Sequence, residues 1–157
     1  MKPKVYIETS VVSYLTNRVN RDMVTLAHQA LTQEWWEERG EAFERVVSAL
    51  VVREAGGGDP EAAEKRLAAI AGLRALGMGA PVFGLARRLV EDGPIPANAK
   101  ADAVHIAVAA VNGVDYLLTW NCKHLANAAL RERIGHLVEA AGYRCPVICT
   151  PEELMED

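Results

Sequence analysis

At 157 residues, half of them hydrophobic, the chain is long enough to bury roughly 70% of its unfolded surface in one globular domain without disulfides or a structural metal. A formal net charge of −4 argues against a protein that coats nucleic acid by bulk positive charge and leaves only a local basic rim for that purpose. No apolar run approaches the ~18 residues of a membrane span, residues 1–4 lead into a strand rather than a signal-peptide core, and three cysteines without a CxxC suit a reducing, cytoplasmic setting.

KVYI at 4–7 is short and β-branched, and it runs into Glu8, Thr9, Ser10 and a second apolar run at 11–15. This pattern predicts a buried strand, then a helix capped by Thr9 or Ser10, with Glu8 at the carboxyl end of the strand. Ligands of open α/β sheets bind at that edge, although Glu8 also reads as a solvated turn residue. Residues 16–22 form a polar loop, and 23–39 predict a strong helix with Val24, Ala27, Leu31 and Trp35 on one face. Trp36, about 100° further round, either covers a neighbouring element or belongs to an interface.

Residues 43–48 predict a second strand, and 49–55 a short helix that carries Arg53 and Glu54 and stops at Gly56, Gly57 and Gly58. That glycine run lacks the Lys-Ser or Lys-Thr of a phosphate-binding loop. Asp59 as a cap and Pro60 at the first helical position open a helix to residue 71. A short third strand at 73–76 and a helix at 81–91 follow.

The stretch 98–110, NAKADAVHIAVAA, is a helix with almost no polar face and should be buried on most sides. Asp102 near its start is either a residue of the opening turns behind an Asn98 cap or a carboxylate positioned for a metal or a proton. Gly113 ends this helix. YLLT at 116–119 reads as a strand followed by Trp120, Asn121 and Cys122. Residues 127–141 predict a helix, 147–149 a last strand and 150–155 a short closing helix. On an extended strand Cys145 and Cys149 would lie about 13 Å apart at ~3.3 Å per residue, too far to share one zinc. Near-continuously apolar strands alternating with helices predict a three-layer α/β/α sandwich on a central parallel sheet of four to five strands.

On that scheme Glu8, Glu54 and Asn121 converge at the carboxyl edge of the sheet, and Asp102 joins them if its helix begins there; Asp115 belongs at the opposite edge. Crowded carboxylates call for a cation, and oxygen ligands suit a hard divalent ion. Such a site suits phosphodiester hydrolysis.

The chain resembles a PIN domain along nearly its whole length. The carriers are VYIETSVVSYL at the start, Glu54 after the second strand, KADAVHIAVAA with Asp102, and YLLTWNCKHL with Thr119 and Asn121. The resemblance implies a Mg²⁺- or Mn²⁺-dependent ribonuclease of the VapC toxin type, homodimeric and silenced by a small antitoxin protein. It implies Glu8, Glu54, Asp102 and Asn121 as metal ligands, with Ser10 and Thr119 assisting the attacking water. Two residues depart from the family pattern. Glu8 replaces the usual Asp and moves its carboxylate outward by up to roughly 1.5 Å. Asn121 also replaces an Asp, removing a charge while keeping a carbonyl oxygen. Both departures predict one ion rather than two and weaker binding. They keep open the alternative of an inactive PIN-like domain that binds RNA or a protein partner.

His105, three residues after Asp102, reads as a packed core histidine. His124 beside Cys122 lacks the accompaniment of a nucleophilic site. Lys100, Lys123 and Arg53 border the edge, either as contacts to RNA phosphates or as ordinary solvated charges.

Overall fold

The computed structural model describes residues 1–156 of the chain. Five strands, β1 (Lys4–Ile7), β2 (Glu44–Ser48), β3 (Arg74–Leu76), β4 (Tyr116–Leu118) and β5 (Val147–Cys149), form one parallel sheet in the order β3-β2-β1-β4-β5. The central strand is the driest: Val5, Tyr6 and Ile7 are fully buried, and Tyr6 lies opposite Val46 of β2 and Leu117 of β4. Among the described residues seven α-helices cover the sheet: α1 (Thr9–Thr16), α2 (Met23–Glu34), α3 (Ala49–Ala55), α4 (Pro60–Ile70), α5 (Ala80–Glu91), α6 (Lys100–Val111) and α7 (Ala128–Ala140). Helices α1 to α4 pack with one another and α5 packs with α6 and α7, which gives the two outer layers of the expected α/β/α sandwich.

The chain moves outward from β1 through β2 to β3, then returns past β1 to form β4 and β5. The order in which strands are added therefore reverses between β1 and β4, while all strands stay parallel. In open α/β sheets the crevice outside the carboxyl ends of two such strands is the usual ligand position.

Local chemistry explains most element ends. Asp59 accepts the Ala62 N–H at 3.0 Å in front of Pro60, and Asn127 accepts the Ala129 N–H at 3.0 Å at the start of α7. Gly113 and Gly142, at φ +68° and +93°, follow α6 and α7. Gly93 is required by close approach. A Cβ there would lie 2.6 Å from the Leu89 carbonyl oxygen and 2.9 Å from Leu137 Cδ1, so only glycine lets the turn after α5 pass against α7.

Three expectations are corrected. The cap of α1 is Glu8 itself, whose side chain accepts the Ser10 N–H, while Thr9 and Ser10 lie inside the helix. Asn98 makes no side-chain cap; a 3-10 turn, Ala97–Ala99, precedes α6, and Asp102 consequently sits in the first turn of that helix.

The third correction is the inner face of α2. Val24 is 63% exposed and Ala27 is exposed, whereas Gln29 and Thr32 are buried. Leu31 and Trp35 of the expected face do pack on the core, but tertiary partners for polar groups displace its first half: Gln29 bridges Arg18 O and Asn20 N in the preceding loop, and Thr32 Oγ1 accepts the indole N–H of Trp120 at 2.7 Å. The helix then widens into a π turn, Trp35–Arg39, which carries the fully buried Trp35 and its hydrogen bond to Leu154 O. Trp36 is half-buried with the Arg45 guanidinium of β2 4.6 Å from its ring centre, so it covers a neighbouring strand. No described helix is long and apolar enough to cross a membrane.

Candidate functional site

Glu8 leaves β1 at the point where the strand order reverses, and it is only 6% exposed. A carboxylate this dry needs donors. It has three: the Ser10 N–H reaches Oε2 at 3.1 Å, and the hydroxyls of Ser10 and Thr119 reach Oε1 at 2.5 and 2.6 Å. Each hydroxyl also accepts a backbone N–H from the segment after β4, Ser10 from Trp120 at 2.8 Å and Thr119 from Asn121 at 3.0 Å. Ser10 and Thr119 therefore tie the ends of β1 and β4 together around one charge.

Glu54 comes to the same edge on α3. Its Oε1 accepts from the Thr9 hydroxyl at 2.7 Å and pairs with His105 Nε2 at 2.8 Å. Burial opposes its ionisation, but the hydrogen bonds from His105 and the Thr9 hydroxyl and the nearby Arg53 outweigh burial and hold the carboxyl below its usual range. A carboxylate oxygen of Glu8, one of Glu54 and a ring nitrogen of His105 all lie within 4.8 Å of one another. Among the described residues no other three His, Cys, Asp or Glu side chains come together this closely.

His105 is 1% exposed, as a core histidine would be, yet both its ring nitrogens are engaged. Nδ1 lies 2.7 Å from the Tyr6 hydroxyl, which lies 2.8 Å from Ser48 Oγ. Burial pushes the Tyr6 phenol far above its ordinary value. The sequence signal for this was the spacing of Asp102 and His105 on α6; nothing in the sequence pairs Tyr6 with a residue 99 positions away.

Asp102 stands outside the trio. Its Oδ1 accepts the side-chain N–H of Asn121 at 3.0 Å, and its Oδ2 lies 2.9 Å from His124 Nδ1. Asn121 thus turns its NH₂ group to Asp102, while its oxygen accepts the backbone N–H groups of Lys123 and His124 at 3.2 and 3.1 Å. The oxygen expected to be a metal ligand is spent on shaping the turn after β4, a common use of an Asn side chain. Asp102 still connects to Glu8 through Asn121 and Thr119. His124, weighed in the sequence only against Cys122, is thus the imidazole partner of Asp102.

Lys100, Lys123 and Arg53 are exposed near these elements. Asp115 accepts the Lys4 N–H at 2.8 Å, at the amino end of β1 and away from this edge. The three cysteines are free thiols.

No family model matches the sequence, and no curated protein matches it. Among solved structures, a chain in the crystal structure of VapBC2 from Rickettsia felis bound to a DNA fragment from their promoter has a similar fold. The TM-score is 0.53 at 15% identity, over 93% of this chain and 97% of that one. At that identity the likeness is one of fold, and it agrees with a PIN-like sandwich.

Proposed function

We propose that this protein is a metal-dependent ribonuclease that hydrolyses phosphodiesters at the edge formed by Glu8, Glu54 and Asp102. The observation that carries this reading is the approach of the two glutamates to within 4.8 Å at the point where the strand order reverses. Two carboxylates with hydroxyl and imidazole donors behind them make a donor set that fits Mg²⁺ or Mn²⁺. Such an ion supplies Lewis acidity and a more acidic water.

The chain's own residues do the rest. Ser10 and Thr119 hold Glu8 in place, Thr9 and His105 hold Glu54, and Asn121 and His124 hold Asp102. Lys100, Lys123 and Arg53 would meet RNA phosphates at the rim. The resemblance to the VapC toxin type, together with the fold likeness to a chain of VapBC2, supports a small antitoxin as partner. The outward apolar side chains Val19, Met23, Val24 and Leu26 offer such a partner a surface, and the groove that Phe83 lines with Leu50, Met78 and Val104 offers one to a second copy of this chain.

Purified protein with Mn²⁺ should cleave mixed RNA; EDTA should stop cleavage and Asp102→Asn should remove it. Cleavage that persists in EDTA, or in the Asp102→Asn protein, would overturn the reading. A second reading, a PIN-like domain without catalysis that binds RNA or a protein, is favoured by one observation: Asn121 offers Asp102 an amide N–H and has no free oxygen to give an ion. Calorimetry distinguishes the two, because the second predicts tight RNA or partner binding with no uptake of Mn²⁺.

A further inference from the structure

The ion of the proposed function would meet Glu54 through a carboxylate whose orientation is set deep inside the protein, and this inference rests on that reading. Four side chains from four elements stand in line: Ser48 at the end of β2, Tyr6 in β1, His105 on α6 and Glu54 on α3. The successive contacts measure 2.8, 2.7 and 2.8 Å. Ser48 and Tyr6 are fully buried and His105 is 1% exposed, so every donor in the line needs an acceptor.

One direction satisfies all of them. An ionised Glu54 donates nothing, so His105 donates from Nε2. A neutral ring with its proton there accepts at Nδ1, so the Tyr6 hydroxyl donates to it. The phenol oxygen then accepts from Ser48, whose own oxygen accepts the Val51 N–H at 3.3 Å. The opposite direction places the ring proton on Nδ1. It leaves Nε2 and Glu54 Oε1 as two acceptors 2.8 Å apart, and it gives the Ser48 proton no acceptor among the described residues.

We propose that Ser48, Tyr6 and His105 form a one-way hydrogen-bond relay that ends on Oε1 of Glu54 and holds that carboxylate for a divalent ion. The Thr9 hydroxyl falls on the same oxygen, so Oε2 has no donor among the described residues and is the atom left to the ion. His105 presents an N–H to the site, not a lone pair. It is a positioning residue rather than a ligand, and Tyr6 positions it in turn.

Two measurements on the full chain test this. In metal-free protein, at a pH above the ordinary histidine range, ¹⁵N NMR should find the His105 proton on Nε2. Calorimetric titration with Mn²⁺ should then find binding to Tyr6→Phe about 10-fold weaker than to wild type, the lower end of what loss of a partner behind a metal ligand costs. Val138→Ala, which truncates the fully buried Val138 of α7, should melt earlier yet bind Mn²⁺ like wild type. If Tyr6→Phe does not fold, Ser48→Ala cuts the relay one bond further back and should also bind more weakly.

A ring proton on Nδ1 overturns the relay, as does unchanged Mn²⁺ affinity in the folded Tyr6→Phe or Ser48→Ala protein. A wild type that takes up no Mn²⁺ overturns the proposed function and the task of the relay together. A wild type that binds Mn²⁺ no better than Tyr6→Phe overturns the relay alone.

Discussion

The edge carries two carboxylate–imidazole pairs of nearly equal length, Glu54 with His105 at 2.8 Å and Asp102 with His124 at 2.9 Å, but their surroundings differ. The His105 side chain is 1% exposed and continues into a buried chain of hydroxyls, whereas His124 is 19% exposed and sits on the turn after β4. A bond length therefore says little about what a pair contributes. The first pair is locked to the core through both nitrogens of its ring, although its carboxylate, at 32%, is the more open of the two; the second joins two half-buried side chains at a turn and has no such tie to the core.

The largest expected effect falls on the two carboxylates themselves, where the pairs should behave alike. Glu54→Gln and Asp102→Asn should each lower Mn²⁺-dependent RNA cleavage on the order of 100-fold or more, the scale of losing one preorganised charge-stabilising group. Initial rates on a labelled RNA measure this; if one variant retains wild-type rates, the two pairs do not serve the same reaction.

Stability should separate them next. His105→Gln strands the Tyr6 hydroxyl inside the core and should cost about 2–3 kcal/mol in urea unfolding. His124→Gln should cost less than about 1 kcal/mol, as a partly exposed pair does. A reversed ranking would break the comparison.

Acid titration sharpens it further. Because the folded protein holds the Glu54 carboxyl below its usual range, the unfolded chain binds that proton first as pH falls. The stabilisation is fully present above the ordinary glutamate value of about 4.3 and is lost as pH drops through the folded value. Urea midpoints followed downward from neutral pH should fall more steeply in wild type than in Glu54→Gln. Parallel profiles would mean that the relay does not favour the charged form.

What could be read in the sequence follows from how locally each feature is determined. The strands were legible because a strand buried on both faces is an apolar run whatever lies beside it, and the crossover rule then put Glu8 and Glu54 at one edge. The face of α2 was only half legible: Gln29 and Thr32 are buried because a distant loop and the indole of Trp120 satisfy them. His105 was legible as buried, since α6 has hardly any polar face, but its bond to Tyr6 depends on the register of β1 against α6. Asn121 kept its predicted place. Which end of its amide faces Asp102 is decided by the Lys123 and His124 N–H groups of its own turn.

That turn also makes the smallest of the predicted effects an informative one. Lys123 lies between Asn121 and His124 with its side chain exposed, so the loop that holds Asp102 also carries a solvent-facing cation. If RNA arrives over the Asp102–His124 pair, Lys123→Ala should weaken binding of a single-stranded RNA and flatten the dependence of log K on log salt by about 0.7, one phosphate contact on a single strand. Anisotropy titrations over a salt series, made on the Asp102→Asn background so that the RNA stays intact, would measure this slope. Lys2→Ala is the matched control: Lys2 carries the same charge but precedes β1, at the opposite edge of the sheet. Equal slopes for Lys123→Ala and Lys2→Ala would mean that RNA is attracted by overall charge. A change confined to Lys123→Ala would put the nucleic acid against the half-buried Asp102–His124 pair, leaving the buried His105 to work from behind Glu54.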